Sequence, residues 1–127
     1  MAETPMTAAA LAPRVKALLE GADLDAFGGL LDPHVFWGAP GDPEACTSPA
    51  DVLSWWRRSH AAGVRASVTE VETHGERLLV GLLVRGRPGA VGEEQRWQVL
   101  SVGSAGVREI IGYEDRDEAL AHATAAD

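Results

Sequence analysis

From residue 64 onward the chain reads as four strand-like runs in succession: "VRASVTEVET", "RLLVGLLVRG", "EQRWQVLSVG" and "VREIIGYE". Each is rich in Val, Leu, Ile, Thr or aromatic residues. Each alternates with the period of two that sends successive side chains to opposite faces of a sheet. The connections "HGE", "RPGAVGE" and "SAG" are of hairpin length, too short for the crossover that a parallel pair needs. A four-stranded antiparallel meander is thus the feature that most limits the fold. Such a sheet must bury at least one face, and the chain ahead of it supplies the cover.

Within "TAAALAPRVKALLE" the residues Leu11, Val15, Leu18 and Leu19 fall at helical spacing, with Pro13 in the first turn and Gly21 as the stop. "ADLDAFGGLLDP" reads as a second, shorter helix. Asp23 is its cap, Leu24, Phe27, Leu30 and Leu31 its apolar stripe, and Pro33 its end. "HVFWG" follows as a strand and "APGDPEACTSP" as a loop. "DVLSWWRRSH" lies in a third helix, with Ser48 as N-cap, Pro49 as the first helical residue, Asp51 as the acid at the third position and Gly63 as the stop. A last helix, "DRDEALAHATA", starts at Asp115 with Glu118 at the reciprocal capping position. The order is α-α-β-α-β-β-β-β-α, an α+β arrangement with helices on one face of the sheet. No repeat or linker divides the sequence, so one domain over 1–127 is expected, with its core at about 10–122.

A net charge of −8 argues against nucleic acid, whose binding needs clustered Lys and Arg. The single cysteine excludes an internal disulfide and fits a reducing compartment. No apolar run approaches the length of a bilayer span, and Glu3 stands where a signal peptide carries positive charge. The expectation is a cytoplasmic protein without a membrane partner.

The phrases "GLLDPHVFWGAP", "SPADVLSWWRR" and "VREIIGYEDRDEAL", in this order around paired long strands, resemble the SnoaL-like branch of the nuclear transport factor 2-like superfamily. The resemblance covers roughly residues 10 to 122. It implies a cone: a curved antiparallel sheet wrapped around the N-terminal helices, open at one end to a small apolar ligand. It also implies a homodimer through the outer sheet face. The strands "LLVGLLV" and "WQVLSV" are apolar at both parities, which points to a second covering of the sheet, most simply another copy of the chain.

On the third helix Val52, Leu53, Trp56 and His60 share one face, whereas Trp55 lies about 100° away and is expected to point elsewhere. Trp37, Trp56, Trp97 and Tyr113 are the candidate aromatic lining of a pocket, their N–H and O–H groups serving as sparse polar handles. His60 ends an apolar face and is a candidate acid or base. The resemblance also assigns Asp115, near the end of the last strand, to the acid–base position of the SnoaL-like cyclases. On that strand Ile111, Tyr113 and Asp115 share a face by alternation, yet "DRDE" is equally a helix-capping sequence. Near Gly38-Ala39-Pro40, where ketosteroid isomerases carry their base, this chain has no ionisable side chain, and Gly112 stands where many relatives carry a polar residue. Cys46 reads as a free, partly buried thiol.

The histidines at 34, 60, 74 and 122 show no ligand spacing, so no metal is expected. "GRPGAVG" lies between strands and lacks the strand-to-helix context of a phosphate loop, so no cofactor is expected. Two functions fit. One is a cofactor-free cyclase, isomerase or dehydratase that moves a proton next to a carbonyl on a hydrophobic substrate. The other is a non-catalytic ligand-binding, accessory or dimerisation domain.

Overall fold

The four runs form β2 (Arg65–His74), β3 (Arg77–Arg85), β4 (Glu93–Gly103) and β5 (Gly106–Tyr113), each antiparallel to the next. The computed structural model describes residues 7–20, 24–39, 45–87, 89 and 91–125. The readings of the first six residues, of Gly21 and Asp23 as helix ends and of the Leu24 side chain fall outside these residues. So do the centre of the "APGDPEACTSP" loop and parts of the "RPGAVGE" connection. Ahead of the meander come α1 (Ala8–Glu20), α2 (Leu24–Gly28), β1 (Leu31–Gly38) and α3 (Pro49–Ala61), and after it α4 (Arg116–Thr124). The observed order is the one expected.

The sheet runs β1-β5-β4-β3-β2, and β1 joins β5 in parallel. It is therefore mixed, where a purely antiparallel sheet was expected. Because α3 and the meander separate β1 from β5, no tight turn dictates their relative direction. Register shifts between Val68 and Glu70 and between Ser101 and Val102 increase the local twist and bend of the strands.

Both faces of the sheet are covered. On the concave face Val80, Leu82, Leu100 and Ile110 pack with Leu11, Val15, Leu18, Phe27 and Val52 of the first three helices. Each such side chain contributes roughly 1.5–3 kcal/mol by leaving water. On the opposite face Leu79 and Val99 meet Ala119 and Ala123 of α4, with Trp97, Tyr113 and Leu120 at the margin. This corrects the one-face arrangement. The apolar second parity of β3 and β4 is met by the chain's own last helix, so these residues do not call for a second copy.

Alanines four positions apart present a smooth face, and polar contacts fix its position. Arg116 Nη2 donates to Glu70 and Glu72 on β2 at 2.6 and 3.1 Å, and its guanidinium lies 5.6 Å from the Trp97 ring centre. These bonds hold the Glu70 carboxyl below its ordinary range. At the other end Arg77 Nη1 donates to the carbonyls of His122 and Ala125 at 3.2 and 2.7 Å, at the C-terminus of the helix. Trp97 can lie flat on the sheet because Gly81 is beneath it; a Cβ there would stand 2.6 Å from the indole.

The second helix stops at Gly28, and Leu31 already pairs with Val107. Leu30 and Leu31 are thus turn and strand residues rather than the end of a helical stripe. Pro33, expected to end that helix, stands inside β1, where the register slips between Leu31 and Phe36. An edge strand tolerates this, because the missing N–H can face away from its one partner. No helix among the described residues is long and apolar enough to cross a membrane.

The start of the β1–β5 pair is tight. Gly106 has φ +122°, the Leu30 carbonyl lies where a Cβ on residue 106 would collide with it, and that carbonyl accepts from the Val107 N–H at 2.7 Å. Gly75 also has positive φ (+60°) but opens to space. Gly75→Ala should cost about 1 kcal/mol, the left-handed penalty alone. Gly106→Ala should cost about 3 kcal/mol or more, because backbone must move as well. Urea denaturation of the two variants measures the difference; equal losses would contradict this account of the joint.

Candidate functional site

Helix α3 begins and ends on well-defined contacts. The Ser48 hydroxyl accepts from the Asp51 N–H at 3.2 Å with Pro49 in the first turn, as expected. At the other end Gly63 has φ +95°, and Arg65 Nη1 donates to the His60 and Val64 carbonyls at 2.9 and 2.8 Å. A cation on the last carbonyls suits the negative end of the helix. Held this way, α3 turns Trp55, Trp56, Ser59 and His60 towards a hollow above the concave face.

The hollow has two adjoining chambers. The inner one, about 120 Å³, lies between α1, α3 and the sheet; Leu19, Trp56, His60 and Ala66 are on its wall. The outer one, about 300 Å³, adds Arg87, Arg96, Trp97 and Gly112. Trp37, Trp55, Ser59, Val64, Leu82, Val84 and Gln98 border both. Trp37 is the hub of the aromatic wall, 5.2 Å from the Trp55 ring centre and 6.1 Å from that of Trp56, the latter nearly perpendicular at 89°. Phe27 closes the rear edge-on to Trp56 at 4.6 Å.

Trp55 departs from expectation. It is 46% exposed, yet it lines both chambers. Positions 100° apart on α3 both meet the hollow because Trp37 rises from β1 to contact the two indoles. Trp37 is itself fixed from outside. Its N–H and carbonyl exchange 2.9 Å hydrogen bonds with the backbone of Cys46, whose thiol is in no disulfide and is half-buried.

Three polar groups reach the inner chamber in different states. The Gln98 side-chain carbonyl is buried and has no hydrogen-bond partner among the described residues, a condition that costs roughly 1–3 kcal/mol. The His60 ring makes no hydrogen bond among the described residues. The Glu20 carboxylate accepts from the Val68 N–H at 2.6 Å and from Lys16 at 2.9 and 3.0 Å. The Val68 bond and then Lys16 hold it below the usual glutamate value of 4.5.

The expected site residues divide into two groups. Trp37, Trp56 and His60 come together in the inner chamber. Trp97 borders the outer chamber, but its ring lies over Gly81 on the face that carries α4. Tyr113 is on that same face, bonded to His122 Nδ1 at 2.9 Å, and burial raises its phenol pKa. A single lining of all four aromatic residues is therefore not formed. Asp115 takes the capping alternative: it is exposed at the N-cap of α4, and its carboxylate accepts from the Asp117 N–H at 3.3 Å. Asp115 is on the wall of neither chamber.

Sequence reasoning missed Glu20, Ser59, Arg96 and Gln98. For two of these a signal existed. Arg96 and Gln98 share the strand parity of Leu100, opposite Leu82 and Val80, and a polar residue at a core-facing position marks either an error or a function.

With this geometry in view, comparison gives a fold and no more. No protein-family model and no curated protein matches the sequence. Among solved structures, a cystatin-fold protein from Novosphingobium aromaticivorans superposes with TM-score 0.71 at 14% identity, over 85% of this chain and 98% of its own. A candidate polyketide cyclase from Sinorhizobium meliloti gives 0.66 at 18%, over 85% and 100%. A candidate ketosteroid isomerase from Kribbella flavida gives 0.68 at 21%, over 83% and 75%. The chain thus has the cystatin-like α+β fold shared by polyketide-cyclase-like, ketosteroid-isomerase-like and NTF2-like structures, as its resemblance implied.

Because the folded pKa of Glu20 is depressed, its contribution to stability is complete above pH 4.5 and is lost as the pH falls through the lower folded value. Glu20→Gln should therefore be less stable than the parent at neutral pH, and the gap should close below pH 4.5. Thermal melts across that range test this; a gap that persists in acid would mean that Glu20 acts by packing.

Proposed function

We propose that the chain binds a small aromatic or alicyclic molecule bearing a hydroxyl or carbonyl group, seated between Trp37, Trp55 and Trp56. The observation that carries this reading is the Gln98 amide, buried beside an indole wall with its carbonyl unpaired. A mostly apolar hollow with a few convergent polar groups is the usual form of a small-molecule site. A ligand hydroxyl donating to Gln98 Oε1 would relieve the unpaired acceptor, which an apolar ligand could not do, whereas a ligand carbonyl could bond the amide only through Nε2. That neighbours in fold carry the names polyketide cyclase and ketosteroid isomerase fits a carbonyl-bearing ligand.

The test is tryptophan fluorescence with 2-naphthol and naphthalene. 2-Naphthol should bind more tightly, and Gln98→Leu should remove that preference, about fivefold to thirtyfold for one buried hydrogen bond. Val84→Phe, which narrows both chambers, should weaken both compounds. Equal affinities in the parent, or a preference that survives in Gln98→Leu, would count against the reading.

A catalytic version is favoured by one placement: His60 and Gln98 border the same chamber. An imidazole can take a proton from carbon next to a ketone near neutral pH. The electron pair moves to the carbonyl oxygen, and the Gln98 amide N–H stabilises the enolate. Asp115 keeps its capping role in this scheme. Solvent deuterium should enter the α-position of 2-tetralone faster than in buffer, and His60→Gln should return the rate to background. An unchanged rate in that variant excludes His60 as the base.

A further inference from the structure

Resting on the pocket proposed above, we infer that its ligand is a carboxylate: a ring compound whose anionic tail lies in the outer chamber on Arg96. The argument starts from β4. Arg96 and Gln98 are two residues apart on one strand and point to the same face, so their origins are separated by about 7 Å. Gln98 stands beside the indoles, and Arg96 stands towards the mouth. That distance matches a ring followed by one or two carbons and a carboxylate.

Among the described arginines that border the hollow, Arg96 alone is not exposed. Arg65, on the inner wall, is committed to two carbonyls at 2.9 and 2.8 Å. Arg87 is committed to Glu94 at 3.2 Å. Arg96 touches carboxylates only through Nη1 and only at long range, 3.6 Å to Glu94 and 3.4 Å to Glu114. The Glu114 side chain is 84% exposed, and Glu94 is shared with Arg87. Nε and Nη2 of Arg96 have no partner among the described residues, and its side chain is only 31% exposed. A half-sheltered guanidinium with an open edge matches the two oxygens of a carboxylate in a way a point charge does not.

The charges along the hollow reinforce this orientation. Glu20 is at the inner end, ionised by its bond to the Val68 N–H, and it repels an anion that enters tail-first. Arg87 and Arg96 are at the outer end. In a chain of net charge −8, Arg87 and Arg96 offset Glu94 and Glu114 at that end, so an anionic tail meets less repulsion there than beside Glu20.

The experiment uses two matched probes, 1-naphthaleneacetate and neutral 1-naphthaleneacetamide, titrated into the full chain by tryptophan fluorescence at neutral pH. The acetate should bind about tenfold more tightly than the amide, and the preference should shrink as salt is added. In Arg96→Gln the ratio of acetate to amide affinity should fall to about one; in Arg96→Lys part of it should remain. Circular dichroism melts confirm that each variant is folded. If parent protein binds both probes equally, the carboxylate assignment is overturned while the pocket stands. If neither probe binds, the pocket reading fails and the assignment falls with it. A preference undiminished in folded Arg96→Gln would transfer the anion to another group and refute the role of Arg96.

Discussion

Leu78, Leu79 and Val80 are consecutive residues of β3, and none has exposed surface. Consecutive strand residues point to opposite faces, so this one strand requires an apolar cover above and below the sheet. The first three helices meet the demand on the concave side, and α4 meets it on the other. The two covers differ in kind. The concave one is built from large side chains on inclined helices, and it leaves a hollow where α3 spans towards β1. The α4 cover is built from alanines, sits close, and is held by Arg116 and Arg77 at its ends. The location of the hollow follows: it lies where bulky residues bridge between elements without filling every gap.

The elements themselves were legible because their signals are local. Ser48 and Pro49 open α3, the period of two runs through β2 to β5, and Asp115 opens α4. What could not be read depends on partners distant in the chain. Pro33 normally argues against a strand, and it is accommodated only because β1 has a neighbour on one side. The parallel direction of β1 is likewise a property of the assembled sheet, without any counterpart in "HVFWG". The apolar parity of Leu79 and Val99 was visible, but which partner would cover it was not. The weak alanine face of α4 gave no hint that it would dock there.

For the site, helical spacing placed Trp56 and His60 correctly and Trp55 incorrectly. The angle between adjacent residues on a helix is fixed, but the width of the hollow they face is set by Trp37, eighteen and more positions earlier in the chain. Trp97 and Tyr113 were expected in the pocket lining with Trp37 and Trp56, and the two do share a face of the sheet. It proved to be the face under α4. Two polar residues on the wall of the hollow, Arg96 and Gln98, were in plain view at an apolar parity of β4. Aromatic residues are rare here, but the more specific clue is polarity where the pattern calls for leucine.

The two sides of β1 lead separate lives. One edge pairs with β5; on the other, the Trp37 backbone is occupied by Cys46, and Pro33 removes a donor further back. A free strand edge is an invitation to stack chain upon chain into ribbons. Here the same short segment that steadies the central indole of the hollow also covers that edge at Trp37, so the covering of one sheet edge and the shaping of the hollow's wall are tied to a single strand. Any loosening of the Cys46 segment would therefore expose a sticky margin and deform the wall in one event.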